Sequence, residues 1–139
     1  MDMARRAAAE SHATRLKVGS IFVSPEGVMS MGINGLPAGG SNVCEHQTFN
    51  REGELVLETL PETSHSEENL FAKLMRQGVS TIGGTIYVTH APCISCSKII
   101  VVAGIKRVVY AEDYRNNDGL TWMQKNNIIV EKLDASVPV

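Results

Sequence analysis

Three features of the 139-residue chain predict an α/β fold in three layers, α/β/α, around a mixed five-stranded sheet. Two strand-like clusters flank a turn signal near the N-terminus. Helical and strand-like segments then alternate to the end. The last two connections are long enough for helical crossovers, so the last three strands should be parallel.

Taken in order, Met3 to Thr14 is Ala-rich without breakers and reads as a helix. Lys17 to Ser24 carries Val18, Ile21, Phe22 and Val23, a strand signal. Pro25-Glu26-Gly27 is a turn, and Val28 to Ile33 completes a hairpin. From Asn34 to Thr63 the chain is polar and aperiodic, with Gly35, Pro37, Gly39 and Gly40 near its start. It reads as a long loop, and loops of that length in compact domains are usually functional. Ser64 to Gly78 reads as a helix with Leu70, Phe71, Leu74 and Met75 on one face. Thr85 to His90 is a strand, Cys93 to Ala103 a helix closed by Gly104, and Arg107 to Glu112 a strand. Gly119 to Asn126 and Asn127 to Leu133 read as a short helix and a last strand. No repeat interrupts this series, and the length fits a single domain over 1–139.

Composition narrows the function. The net charge is −2, and the 13 Lys and Arg residues form no run longer than two. A nucleic-acid surface would show a basic patch or stripe, whereas a small anion needs only two or three local cations. Three cysteines, two of them three residues apart, do not make a secreted disulfide framework. No apolar run approaches the roughly 18 residues of a membrane span, and the N-terminus lacks a signal-peptide core. The expected location is the cytoplasm.

Two short motifs carry chemistry, each where a helix should begin: His65-Ser66-Glu67 and Pro92-Cys93-Ile94-Ser95-Cys96. Taken alone, Ser64 to Glu67 is also a capping box, with Ser64 as N-cap and Glu67 at N3. A Cys-x-x-Cys pair at a helix start suits a metal or a redox dithiol. Its place after the third counted strand favours metal, because a thioredoxin-like dithiol follows the first. Together, His-x-Glu and Pro-Cys-x-x-Cys form the signature of zinc deaminases. His65, Cys93 and Cys96 would hold Zn²⁺ and leave one tetrahedral position open to water, whose pKa zinc can lower from about 15.7 to about 7. Glu67 would carry protons. The rival is a closed structural zinc site with Cys44 or His46 as fourth ligand, which would leave Glu67 as a cap only.

At these residues the chain resembles the deoxycytidylate (dCMP) deaminase family, and phage and viral members most. The resemblance runs from about Leu16 to Leu133. It includes Lys17-Val18-Gly19, the segment Gly32 to Gly39, Cys44, and His65 to Asn69. It continues through Tyr87 to Cys96, Ala103 to Tyr110 and Glu112-Asp113-Tyr114. It implies the cytidine-deaminase-like fold and hydrolysis of dCMP to dUMP and ammonia, with dCTP as a further candidate substrate. It implies Asn34, Tyr114, Ala91 and Pro92 at the substrate. It also implies a homohexamer activated by dCTP with Mg²⁺ and inhibited by dTTP, with Gly32, Gly35 and Arg76 assigned to the effector site. For the phosphate, Arg15 and Lys17 just before the first strand are the candidates, with Arg115 beside Tyr114. A deaminase of another base, of the tRNA-adenosine type, would share the metal site but needs a nucleic-acid surface.

Overall fold

The computed structural model describes residues 1–133, and residues 134–139 of the predicted domain lie outside them. A short helix, α1 (Asp2–Ala9), precedes the hairpin of β1 (Gly19–Val23) and β2 (Met29–Ile33). A second hairpin follows, β3 (Glu45–Phe49) and β4 (Leu55–Thr59). Then come α2 (Ser66–Gln77), β5 (Thr85–His90), α3 (Ile94–Val102), β6 (Arg107–Glu112), α4 (Asp118–Lys125) and β7 (Ile129–Lys132).

The main sheet has five strands in the order β2-β1-β5-β6-β7. β1 lies antiparallel to both β2 and β5, whereas β5, β6 and β7 are parallel. The α/β class, the mixed sheet and the parallel last three strands agree with the sequence reading. Register fixes the two faces. Ser20 pairs with Gly32 and Val88, and Phe22 with Ile86. Phe22, Ile86 and Val88 pack into one core with Leu70 and Leu74 of α2, Ile100 of α3 and Met123 of α4. The neighbouring residue Gly19 therefore points to the opposite face. There its missing side chain leaves room for the backbone of α1 at Ala4 and Ala8. One helix thus covers one face and three cover the other.

Three sequence readings change. The first helix stops at Ala9, not Thr14. Just beyond it, the Ser11 hydroxyl accepts from Ala13 N (3.1 Å) and donates to Asn34 O (2.8 Å), tying the chain to the end of β2. The stretch from Asn34 to Thr63 is not one loop, because it holds the β3–β4 hairpin. That hairpin is largely exposed on both faces, so no apolar alternation marks it. Finally, α2 is capped by His65, not Ser64: Glu68 at N3 accepts from His65 N at 2.8 Å. Glu67 is therefore no part of the capping box.

Candidate active site

The two motifs meet at two helix starts. His65 is the N-cap of α2, and Cys93 is the N-cap of α3. Cys96 lies in the first turn of α3, where its N–H donates to Cys93 Sγ at 3.5 Å. His65 Nδ1 stands 3.5 Å from Cys93 Sγ and 3.3 Å from Cys96 Sγ. The three ligand atoms lie within 4.8 Å of one another. One nitrogen and two sulfur donors on a shared centre are a set that zinc prefers.

The charges agree with that use. Hydrogen bonds from Cys96 and His65 draw the Cys93 thiol down to about 4 against the opposing effect of burial. The Cys96 thiol is pushed up, first by its hydrogen bond to Cys93 and then by burial. The hydrogen bond to Cys93 lifts His65 to about 9. The trio therefore holds protons that a bound cation would displace, as metal ligands must.

No fourth His, Cys, Asp or Glu joins this cluster among the described residues. The Cys44 thiol is buried and faces Asn42 O at 3.7 Å. His46 Nε2 lies 3.7 Å from Glu58 on the second hairpin. A closed site completed by either residue is not formed.

Glu67 sits beside the trio with 4% of its surface exposed. Ser66 Oγ donates to its carboxylate at 2.6 Å. Burial raises its pKa, with the Ser66 and Cys96 hydrogen bonds opposing. A carboxyl placed this way takes up a proton near neutrality more readily than an exposed one.

Both groups open on a cavity of about 510 Å³. Of the predicted substrate residues, Asn34, Ala91, Tyr114 and Arg15 line it, as does Arg115. Pro92 is fully buried and Lys17 is exposed, and neither lines the cavity. Asn34 is also structural: its Oδ1 accepts from Val18 N (2.9 Å) and its Nδ2 donates to Leu16 O (2.7 Å). One N–H and one lone pair remain for a ligand. Arg115 donates to the Tyr114 hydroxyl at 2.9 Å and stacks on its ring.

The residues assigned to an effector site are not brought together at the cavity. Gly32 is buried under α2, where a side chain would run into the backbone at Ser66. Gly35 bridges to Ser64, and Arg76 is exposed in the last turn of α2. Among the lining residues outside the predicted site are Glu45, Thr59, Thr63, His90 and Asp113. Glu45 and Thr59 belong to the unpredicted hairpin. His90 closes a strand that the sequence did mark, so its position was available.

Gly119 sets the packing behind the metal ligands. A Cβ there would collide with Pro92 O and lie 2.5 Å from Ser97 Oγ and 3.0 Å from Cys93 C. Gly119→Ala should push α4 off the start of α3 and misplace Cys93. Overpacking of this kind costs about 1–3 kcal/mol. The expected result is a lower Tm with a weaker zinc affinity, read by calorimetry and by competition with a chromogenic chelator.

Comparison with known proteins places this geometry. The cytidine and deoxycytidylate deaminase zinc-binding region matches residues 1–112. ComE operon protein 2 of Bacillus subtilis is 40% identical over 111 residues, 79% of this chain and 56% of that protein. The chain thus spans little more than half of the Bacillus protein. Deoxycytidylate deaminase of Mycobacterium phage D29 is 34% identical over 81% of this chain and 91% of its own. The crystal structure of dCMP deaminase from cyanophage S-TIM5, in complex with dCMP and dUMP, superposes with a TM-score of 0.83. It is 35% identical, over 95% of this chain and 92% of that one. With its His-Cys-Cys cradle, its buried glutamate and a match over most of its length, the chain belongs to the cytidine and deoxycytidylate deaminase family.

Proposed function

We propose that the chain hydrolyses dCMP to dUMP and ammonia. The observation that carries this reading is the His65–Cys93–Cys96 cluster with buried Glu67 beside it, on a cavity of about 510 Å³. The names of the phage relative and the cyanophage structure support the choice of nucleotide. A zinc ion held by His65, Cys93 and Cys96 would supply the Lewis acidity that makes water a nucleophile at neutral pH.

The chain's own part is positioning and proton transfer. Water adds at C4 of cytosine, and ammonia leaves from the same carbon. Glu67 takes the proton from the attacking water, places it on the ring nitrogen, and then serves the departing amine. Asn34 and Tyr114 wall the cavity for the nucleoside. The test is direct: zinc-loaded protein is incubated with dCMP, dCTP, deoxycytidine and a tRNA, and ammonia is measured. Release from dCMP first among these supports the reading. Faster release from tRNA would overturn it.

Phosphate recognition falls to the lining cations Arg15 and Arg115. Besides Glu67, the two acids that line the cavity are already engaged. Glu45 accepts from Thr14 N and Arg15 N at 2.8 and 3.0 Å, and Asp113 pairs with Lys132 at 2.8 Å. Arg15→Ala should raise KM for dCMP about tenfold. That is the lower end for a charged hydrogen bond, because Arg15 is exposed to solvent. KM for deoxycytidine should stay unchanged.

The remaining readings rest on the family likeness. They are a homohexamer, activation by dCTP with Mg²⁺ and inhibition by dTTP. Light scattering, and rates with each nucleotide added, would decide them.

A further inference from the structure

His90 lies outside the metal cluster, yet it lines the cavity at the end of β5. Its ring is held by a short chain of hydrogen bonds. Gly19 N donates to Thr89 Oγ1 at 3.2 Å, and Thr89 Oγ1 lies 2.9 Å from His90 Nδ1. Thr89 is 5% exposed, so its hydroxyl proton needs an acceptor inside the protein. Its oxygen already accepts from Gly19, and among the described residues the only acceptor it meets is His90 Nδ1. Were Nδ1 itself protonated, the buried Thr89 O–H would have no acceptor, a state folded proteins rarely leave a buried donor in. The proton of the neutral ring therefore sits on Nε2, the ring nitrogen not held by Thr89.

We propose that His90 is a substrate-binding residue whose Nε2–H donates a hydrogen bond to an acceptor oxygen of the nucleotide, with Thr89 as the residue that sets its tautomer. The proposal rests on the deoxycytidine-nucleotide reading above. It adds a donor that neither the metal motifs nor the predicted substrate residues include. Burial lowers the pKa of His90 while Glu112, its register partner on β6, opposes, which favours the neutral ring. Glu45 and Asp113, which line the cavity together with Glu67, are held by the Thr14–Arg15 backbone and by Lys132. The acceptor belongs either to the phosphate or to the nucleoside, and the two make the same demand on His90.

Zinc-loaded wild-type, His90→Leu and His90→Gln proteins would be compared for KM and kcat on dCMP and on deoxycytidine. With His90→Leu, KM for dCMP should rise about 3- to 10-fold, the worth of one neutral hydrogen bond. The kcat should change by less than about twofold, as for a contact made equally in ground and transition states. Zinc content should be unchanged. His90→Gln restores an N–H near the Nε2 position and should recover most of the loss. A rise for dCMP alone assigns the acceptor to the phosphate, and a rise for both substrates assigns it to the nucleoside. An unchanged KM in zinc-replete His90→Leu overturns the proposal. Long-range ¹H–¹⁵N correlation of the wild-type His90 ring gives a second reading, independent of variant folding and of turnover. A protonated Nε2 with a bare Nδ1 supports the relay, and a protonated Nδ1 overturns it. If the wild type releases no ammonia from dCMP, the functional reading fails while the tautomer is still decided.

Discussion

Glu67→Gln should leave one zinc per chain and an intact fold, yet lower kcat on dCMP by about 10²–10⁴ or more. The amide keeps the shape of the carboxyl and can still accept from Ser66 Oγ, but it cannot carry a proton. Helix α2 should not notice the change, because its capping box is built by His65 and Glu68. Stability should be equal or higher. Burial raises the pKa of Glu67 in the folded chain, so its ionised form opposes folding, and a neutral amide removes that opposition. Metal analysis, steady-state kinetics and a thermal scan on one preparation read all three quantities. Near-normal turnover with zinc retained would remove Glu67 from the mechanism.

Cys96→Ala should act one step earlier, by removing the metal. Cys96 is fully buried and contacts both other ligands. Without it one histidine and one thiolate remain, too few to close a tetrahedral site. Zinc per chain should fall from one towards zero, and ammonia release from dCMP to background. Zinc binds the folded chain in preference to the unfolded one, so Tm should fall as well. Treating the wild type with a strong chelator should reproduce both losses, and added zinc should reverse them only in the wild type. A zinc-replete, active Cys96→Ala protein would contradict the ligand set.

Much of this was legible in the sequence because the signals were local. Thr85–His90 and Arg107–Glu112 are dense in β-branched and aromatic residues and fall where expected. The His-x-Glu and Cys-x-x-Cys spacings place donors at helix starts whatever the rest of the fold does. What stayed hidden depends on a rotamer, on exposure or on tertiary packing. Ser64 and His65 are rival caps one residue apart, and the rotamer of Glu68 decides between them. The β3–β4 hairpin lacks a buried face, so its strands give no alternation to read. Its Asn50–Gly53 turn did carry a signal. Asn50 Oδ1 accepts from Glu52 N and Glu54 N, and Gly53 sits at φ 79°. Gly119 gave no sequence sign of its role, since only the approach of α4 to α3 makes a side chain intolerable there.

The second hairpin separates two tasks within one chain. The metal cradle is anchored in helices and strands whose registers leave no slack. Glu45 and Thr59, by contrast, reach the cavity from a ribbon that contributes no residue to the main core. Residues 50–53 at its tip form a turn between exposed strands, the kind of place where insertions are tolerated. The aperture is thus a graftable part. Lengthening or recolouring that ribbon would change the cavity rim without touching the residues of the metal cradle.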